Sequence, residues 1–222
     1  AHTVARAVGL TGQHQLDRLT STAWGQPISD LRSGRASPTP NGSIELLVRY
    51  IQPYSFHQLL RHLTPRATPG VEEVTDGSYR RITNQGGTVR IFEVSDAHDG
   101  QHLRVQVHST SYDNLIDDME RLRTLLATDE DPGPAVAHLS DDRLVGELVA
   151  QQPWLRVPLC WDPFESSVRI IVGQQISVAA ATTVAGRIAH TLGQRVPNGT
   201  SLDRIFPSAG DLAEADLNGL GF

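Results

Sequence analysis

The chain has 222 residues, of which 39% are hydrophobic, so it is long and apolar enough for one large or two small domains with a buried core. Its formal net charge of −6 argues against a protein that coats nucleic acid non-specifically, so any contact with DNA has to be local. The sequence contains no lysine, which excludes Schiff-base chemistry through a lysine amine within this chain.

The sequence predicts a cytoplasmic protein, which we expect to be a monomer. No apolar run reaches the roughly 18 residues that a membrane span needs, and the first residues lack the basic-then-apolar pattern of a signal peptide. The single cysteine, Cys160, excludes an internal disulfide and a zinc site built on several thiolates. We interpret Cys160 as a small buried core residue, with a reactive thiol as the alternative, and we expect neither a metal nor a cofactor.

The first 33 residues show apolar positions at helical spacing, which predicts two short helices and a tail. This segment resembles the last part of an AraC-type helix-turn-helix domain, at Gly9, Leu10, Gln15, Leu16, Arg18, Gly25, Leu31 and Arg32. Pro27 lies one place earlier than in the usual pattern, and the preceding helix-turn-helix is missing. We interpret residues 1–33 as a packed or loosely attached helical remnant, with DNA binding as the alternative.

A linker rich in Gly, Pro, Ser and Asn is predicted at residues 34–43, and an α+β domain at residues 44–130. Apolar recurrence within this domain predicts helices in YSFHQLLRHL and YDNLIDDMERLRTLLA. Segments rich in β-branched residues predict antiparallel strands at 44–50, 78–82, 88–95 and 102–109, joined by turns at NQGG and AHDGQ. These elements together predict one sheet with helices packed against it.

Residues 131–222 carry helical patterns only. Ser140 is predicted to cap a helix in SDDRLVGELVAQQPW. The DPFE motif predicts a second helix start, with Asp162 as the N-cap and Glu165 three residues after the cap. We interpret both carboxylates as helix-capping groups, with acid–base catalysis as the alternative.

Two adjacent glutamines, Gln174 and Gln175, interrupt the apolar stretch IIVGQQISVAAA. Gly173 is predicted to end one helix, and Ser177 to cap the next over residues 178–192. Because a buried amide without partners costs roughly 1–3 kcal/mol, the two side chains either bond to helix ends or face outward toward a partner. Amides carry the donors and acceptors that could replace the hydrogen bonds of a base that has left the stack. Spacing alone leaves both alternatives open.

The block DPFESSVRIIVGQQISVAAATTVAGRIA, preceded by PWLRVPLCW, resembles the AlkA-type 3-methyladenine DNA glycosylases (3-methyladenine DNA glycosylase II) of the helix-hairpin-helix superfamily. The resemblance extends back through LLRHLTPRATPGVEEV and LRTLLATDEDP and covers about residues 44–222. It implies an α+β N-terminal domain with an antiparallel sheet, followed by an all-α helix-hairpin-helix domain that is incomplete here. The N-terminal remnant is similar to fusions in which an Ada-like regulator precedes such a glycosylase.

This resemblance implies a monofunctional glycosylase that flips an alkylated base, such as 3-methyladenine, out of double-stranded DNA and hydrolyses its N-glycosidic bond. It implies DNA binding by Gln174, Gln175 and Ser177, where Gln175 replaces the apolar wedge of some members. His62 falls about where some members offer an aromatic ring to the base pocket, although a lone histidine is more often a surface or core residue. A pocket histidine should be neutral when a cationic base binds.

In this family, the glycine-containing hairpin, the catalytic aspartate and most pocket aromatic residues follow the point that matches DLNGLGF. The family aspartate is therefore expected beyond Phe222, no catalytic residue is predicted in this chain, and the chain alone is expected to be inactive. Two alternatives stay open: a non-catalytic DNA-damage-binding or regulatory module, and a fragment without a function of its own. An exposed apolar face is expected on the helix at residues 178–192.

Overall fold

The computed structural model describes residues 13–24, 27 and 43–216. Within the predicted N-terminal remnant it shows one helix, α1 (Gln13–Trp24), and the rest of that prediction and most of the linker lie outside the described residues. Helix α1 packs against strand β1 (Ser43–Arg49), and Leu16 and Thr20 are buried side chains of the helix. The described part of the remnant is therefore a packed helix.

Five antiparallel strands form a single sheet in the order β1-β5-β4-β3-β2. The remaining strands are β2 (Glu72–Thr75), β3 (Ser78–Gln85), β4 (Thr88–Asp96) and β5 (His102–Ser109). The four strands predicted from the sequence are confirmed, and β2 at one edge is an additional strand. Gly86 and Gly87 join β3 to β4 with φ angles of 59° and 82°, which are the left-handed values that a two-residue hairpin turn requires.

Two amphipathic helices, α2 (Phe56–Leu63) and α3 (Leu115–Leu126), supply the helical side of the hydrophobic core. Ser55 caps α2 by accepting a hydrogen bond from the Gln58 amide at 3.4 Å. The core joins both helices to alternating strand residues, among which are Ile44, Leu46, Val48, Tyr79, Phe92, Val94, Leu103, Val105 and Val107. This arrangement confirms the predicted α+β layer of helices on one sheet.

Trp161 belongs to the same core, although it lies just before the second helical region. Its ring centroid is 5.6 Å from that of Phe92 on β4, so the segment that leads into the later helices is anchored on the sheet. Those later helices are α4 (Gly133–Ser140), α5 (Gly146–Gln151), α6 (Pro163–Val172), α7 (Val178–Leu192) and α8 (Ala209–Glu214). Across the described ranges, none of the helices combines the length and apolar character that crossing a membrane requires.

The predicted cap at Ser140 is wrong. Ser140 is the last residue of α4, where its hydroxyl donates to the Val136 carbonyl at 2.7 Å. The carboxylate of Asp142 instead accepts from the amides of Leu144 and Val145 at 2.7 and 3.0 Å, ahead of the short helix α5. Leu144 and Leu148 lie at helical spacing, but both side chains are exposed. Within the described residues they therefore lack the packing that would stabilise a longer helix here.

Candidate nucleic-acid interface

Helix α6 begins as the DPFE motif predicts. The Asp162 carboxylate accepts hydrogen bonds from the amides of Phe164 and Glu165 at 2.9 and 3.0 Å, and Pro163 is the first helical residue. Arg121 lies 3.4 Å from the other carboxylate oxygen of Asp162. The predicted N-cap is therefore confirmed, and the geometry explains Asp162 without a catalytic role.

Glu165 does not cap the helix. Its side chain is buried and forms ion pairs with Arg81 of β3 and, at 3.2 Å, with Arg169 one turn along α6. The physical reason is that Arg81 is itself buried, and a buried guanidinium requires carboxylate partners more strongly than a helix-end amide does. Glu165 therefore has structural work, as expected, but in an ion pair between helix and sheet.

The turn between α6 and α7 presents the two glutamines to solvent. Gly173 ends α6, and its amide donates to the Arg169 carbonyl at 2.9 Å. Gln175 has a φ of 63°, in the left-handed region of the backbone that residues other than glycine rarely occupy. Both glutamine side chains are exposed, and neither side-chain amide hydrogen-bonds to the described part of the chain. The outward-facing alternative is the one that this geometry supports.

Ser177 fixes the far side of this turn. Its hydroxyl oxygen accepts from the Ala180 amide at 3.2 Å and caps α7 as predicted. Helix α7 is held by a hydrogen bond of 2.9 Å from the Thr182 hydroxyl to the Pro65 carbonyl, and by close packing of Gly186 on Pro69. A Cβ on Gly186 would lie 3.0 Å from Pro69, so a larger residue would require the proline to shift by a few tenths of an ångström. The turn therefore joins two helices, each of which is held by contacts to other parts of the fold.

Large apolar side chains surround the turn on the exposed surface. Ile170 and Ile171 of α6 are 66% and 68% exposed, and Ile176 and Val178 beside the glutamines are also exposed. The exposed apolar face expected on α7 is thus limited to its first turn, where Val178 lies. The larger part of the exposed apolar surface around the turn belongs to α6. The buried side of α7 is formed by Ala185, Gly186, Ile188 and Ala189.

His62 lies in the last turn of α2, on the wall of a cavity of about 350 Å³. Partial burial and the neighbouring Arg66 lower the pKa of His62, which favours the neutral imidazole. Arg66 also donates to the His62 carbonyl at 2.9 Å. His62 thus lies on the cavity wall with a pKa that favours the neutral ring, and its role in a base pocket stays a prediction.

Four ionisable side chains join the sheet to α6 at the floor of this cavity: Glu72 of β2, Arg81 of β3, and Glu165 and Arg169 of α6. We call them the buried ion cluster. Burial alone would raise the pKa of Glu72, but Arg81, Arg169 and a hydrogen bond from Tyr79 hold that pKa below its usual value. The guanidinium of Arg81 lies 5.1 Å from the centroid of the Trp161 ring.

The cavity and the glutamine turn are separate features of the surface. His62 lines the cavity, whereas Gln174, Gln175 and Ser177 do not. Cys160, expected in the core, is instead half-buried on the cavity wall. Within residues 13–24, 27 and 43–216, no group of His, Cys, Asp and Glu is arranged to hold a metal ion.

Sequence reasoning did not identify Arg169, which contacts both carboxylates of the buried ion cluster and the carbonyl of Arg66. The spacing of Glu165 and Arg169, four residues apart on one helix, was the available signal for this ion pair. Nothing in the sequence showed that Glu72 and Arg81 would meet the same pair from the sheet.

The antiparallel sheet with its helices, followed by the capped helices α6 and α7, matches part of the fold of solved DNA glycosylases. A 3-methyladenine DNA glycosylase from Archaeoglobus fulgidus superposes with a TM-score of 0.65 at 18% identity, over 78% of this chain and 60% of that one. An 8-oxoguanine glycosylase/lyase from Clostridium acetobutylicum gives a TM-score of 0.53 at 17% identity, over 78% of this chain and 54% of that one.

The sequence specifies the family within this fold. The family model described as the AlkA N-terminal domain matches residues 44–162, which is more than half of the chain, so the chain belongs to this family. A Mycobacterium tuberculosis protein named "probable bifunctional transcriptional activator/DNA repair enzyme AlkA" is 34% identical over 176 residues, 79% of this chain and 35% of the relative. The DNA-3-methyladenine glycosylase 2 of Escherichia coli is 30% identical over 171 residues, 76% of this chain and 57% of the relative. The chain thus spans between about a third and three-fifths of these relatives' lengths.

Proposed function

We propose that this chain forms the DNA-contacting part of a monofunctional repair glycosylase that releases alkylated bases, and that its Gln174–Gln175 turn contacts double-stranded DNA. The observation that carries this proposal is the pair of exposed, unpartnered amides on a left-handed turn between two anchored helices. A residue held in left-handed backbone geometry is strained, and such strain persists where surrounding structure imposes it, often at functional sites. The names of the relatives support DNA repair as the context.

The proposed reaction is hydrolysis of the bond between C1′ of the deoxyribose and the ring nitrogen of the base. The base leaves with the bonding electron pair, and a water oxygen bonds to C1′ and loses a proton. A base alkylated at a ring nitrogen is often cationic and is then already a good leaving group, so the protein has mainly to hold the flipped nucleotide and stabilise the positive charge on the sugar.

The carboxylates nearest to the turn in sequence are already engaged. Asp162 caps α6, and Glu165 lies in the buried ion cluster. We therefore propose that this chain binds DNA through the turn but releases no base by itself, and that it acts as a monomer. Release of 3-methyladenine from methylated DNA, measured with the 222-residue chain, tests the first point, since release would require a catalytic carboxylate within these residues.

The binding test uses fluorescence anisotropy with two duplexes, one intact and one with a stable abasic analogue. Replacing both Gln174 and Gln175 with alanine removes two amides that each contribute on the order of 0.5–1.5 kcal/mol when hydrogen-bonded. We expect affinity for the abasic duplex to fall about tenfold, which corresponds to about 1.4 kcal/mol. Affinity for the intact duplex should change less, because its bases keep their partners.

Gln151 and Gln152 provide a matched control, because they are also adjacent, exposed glutamines at the end of a helix. Their double alanine variant should bind both duplexes with wild-type affinity. If both double variants lost the same affinity for the abasic duplex, or if neither lost any, the turn would not be part of the DNA interface. Binding that weakens steeply with salt but does not distinguish the two duplexes would indicate phosphate contacts alone.

A further inference from the structure

Arg169 is the member of the buried ion cluster that also reaches the surface. Arg81, Glu72 and Glu165 have almost fully buried side chains, whereas the side chain of Arg169 is 27% exposed. One nitrogen of its guanidinium donates to Glu72 at 3.0 Å and to Glu165 at 3.2 Å. The other donates to the backbone carbonyl of Arg66. The side chain therefore contacts the sheet, its own helix and the segment after α2.

Arg169 is connected through hydrogen bonds to both parts of the candidate site, the His62 wall of the cavity and the glutamine turn. Arg66 follows His62 by one turn and hydrogen-bonds to the His62 carbonyl, so the carbonyl of Arg66 is tied to the His62 side of the cavity. The backbone carbonyl of Arg169 accepts from Gly173, which is the last residue before the glutamines. A single arginine thus links the end of α2 to the last turn of α6.

We propose that Arg169 is a positioning residue, which fixes the distance and orientation between the His62 wall of the cavity and the Gln174–Gln175 turn. A planar guanidinium with donors in a fixed fork can satisfy two carboxylates and a carbonyl at once and so restrains all three elements. This inference rests on the proposed function only for its consequence in DNA binding, since the restraint itself is a property of the folded chain.

Arg169 can be tested without unfolding the protein. If it is replaced with glutamine, Glu72 and Glu165 keep their ion pairs with Arg81, so neither buried carboxylate loses its last cation. Arg80 is a matched control, because its side chain is 22% exposed and pairs with Glu73 and Glu93 at 2.8 and 3.5 Å, remote in its contacts from α6.

Distances between spin labels report the restraint directly. In a Cys160→Ser background, His57→Cys on α2 and Ala179→Cys on α7 place labels at exposed positions on the two helices whose relative placement is in question. We expect Arg169→Gln to broaden or shift the 57–179 distance distribution, while His57→Cys paired with Asp76→Cys, both in the α+β part, stays unchanged. The same experiment with Arg80→Gln should leave both distributions as in the wild type.

An unchanged 57–179 distribution in Arg169→Gln would overturn the inference, and a thermal stability lowered more than in Arg80→Gln would then leave Arg169 as a stabilising residue only. Arg169→Lys keeps the charge but not the fork, so a distribution between those of the wild type and the glutamine variant supports restraint by geometry. Unlabelled Arg169→Gln should lose several-fold of its preference for the abasic duplex. A broadened distribution with the preference intact would retain the restraint and count against the proposed function of the turn.

Discussion

The protonation state of His62 follows from its position on the cavity wall. Partial burial disfavours the charged imidazolium, and the positive charge of Arg66 adds to this effect, so the pKa of His62 lies below its ordinary value of about 6.5. We expect the ring to be neutral at pH 7. Titration followed by NMR should give a midpoint below 6.5 for His62.

Two variants separate the causes of this shift. Arg66→Gln should move the His62 midpoint upward, because it removes the repulsive charge. Arg61→Gln, on the same helix, should leave the midpoint unchanged, since Arg61 hydrogen-bonds to Gln58 and does not contribute to the shift. A His62 midpoint at or above 6.5 in the wild-type protein would contradict the lowering of its pKa by partial burial and Arg66.

Gln175 combines backbone strain with an exposed functional group. Its φ of 63° costs a residue with a Cβ about 1–2 kcal/mol, a cost that glycine avoids. Gln175→Gly should therefore be more stable than Gln175→Ala, with a melting temperature higher by a few degrees. Because both variants lack the side-chain amide, the affinity for DNA should fall by the same factor in both.

This pair of substitutions tests whether the strained geometry is retained for the side chain. Thermal unfolding gives the stability difference, and anisotropy with the abasic duplex gives the affinity. Wild-type affinity in both variants would show that the turn keeps its glutamine for a reason other than DNA contact. A melting temperature for the glycine variant equal to or below that of the alanine variant would show that the turn relaxes when the side chain is shortened.

The start of α6 depends on one side chain. Asp162 satisfies two amides of the first turn, and losing such a cap typically costs about 1 kcal/mol, within a range of about 0.5–2 kcal/mol. Asp162→Ala should therefore lower the melting temperature by a few degrees. Asp162→Asn keeps an oxygen acceptor and should lose less, and equal losses would point to the charge interaction with Arg121 rather than to the cap.

Sequence patterns predicted the elements whose signals are local. The caps at Asp162 and Ser177, the stop at Gly173 and the strand at residues 102–109 all follow from neighbouring residues, and the structure confirms them. Strand β2 was missed because Glu72 and Glu73 disfavour a strand by propensity. It pairs with β3, where Glu72 contacts Tyr79 and Arg81, and Glu72 also meets Arg169, which is far away in sequence on α6.

The same limit applies to the candidate site. Spacing left open whether Gln174 and Gln175 bond to helix ends or face outward, and the folded turn, in which both side chains are exposed, supports the second alternative. The position of His62 came from the family resemblance and not from its local pattern. The linking role of Arg169 was beyond prediction, since two of the three groups it contacts, Glu72 and the Arg66 carbonyl, come from other elements brought near it only by the fold.

At the scale of the whole molecule, the buried ion cluster joins the sheet to its later helices together with the packing of Trp161, and its charges should make folding sensitive to acid. The folded-state pKa of Glu72 is lowered by Arg81 and Arg169, against the opposing effect of burial. A carboxylate with a lowered folded-state pKa contributes stability above its unfolded pKa of about 4.3, and this stability is lost as pH falls through the folded value. We therefore expect the free energy of unfolding to decrease below about pH 4.5.

Glu72→Gln tests this expectation, because it removes the titrating group while Tyr79 can still donate to the amide oxygen. The variant should be less stable at pH 7, since Arg81 and Arg169 then share only Glu165, and its stability should fall less steeply between about pH 5 and 3. Glu73→Gln is the control, because Glu73 pairs with Arg80 at the surface and contacts neither arginine of the cluster. Urea unfolding across this pH range measures both slopes. A Glu72→Gln slope equal to that of the wild type would show that the acid response arises elsewhere, and would leave the ion cluster as a geometric joint without a titrating member in this range.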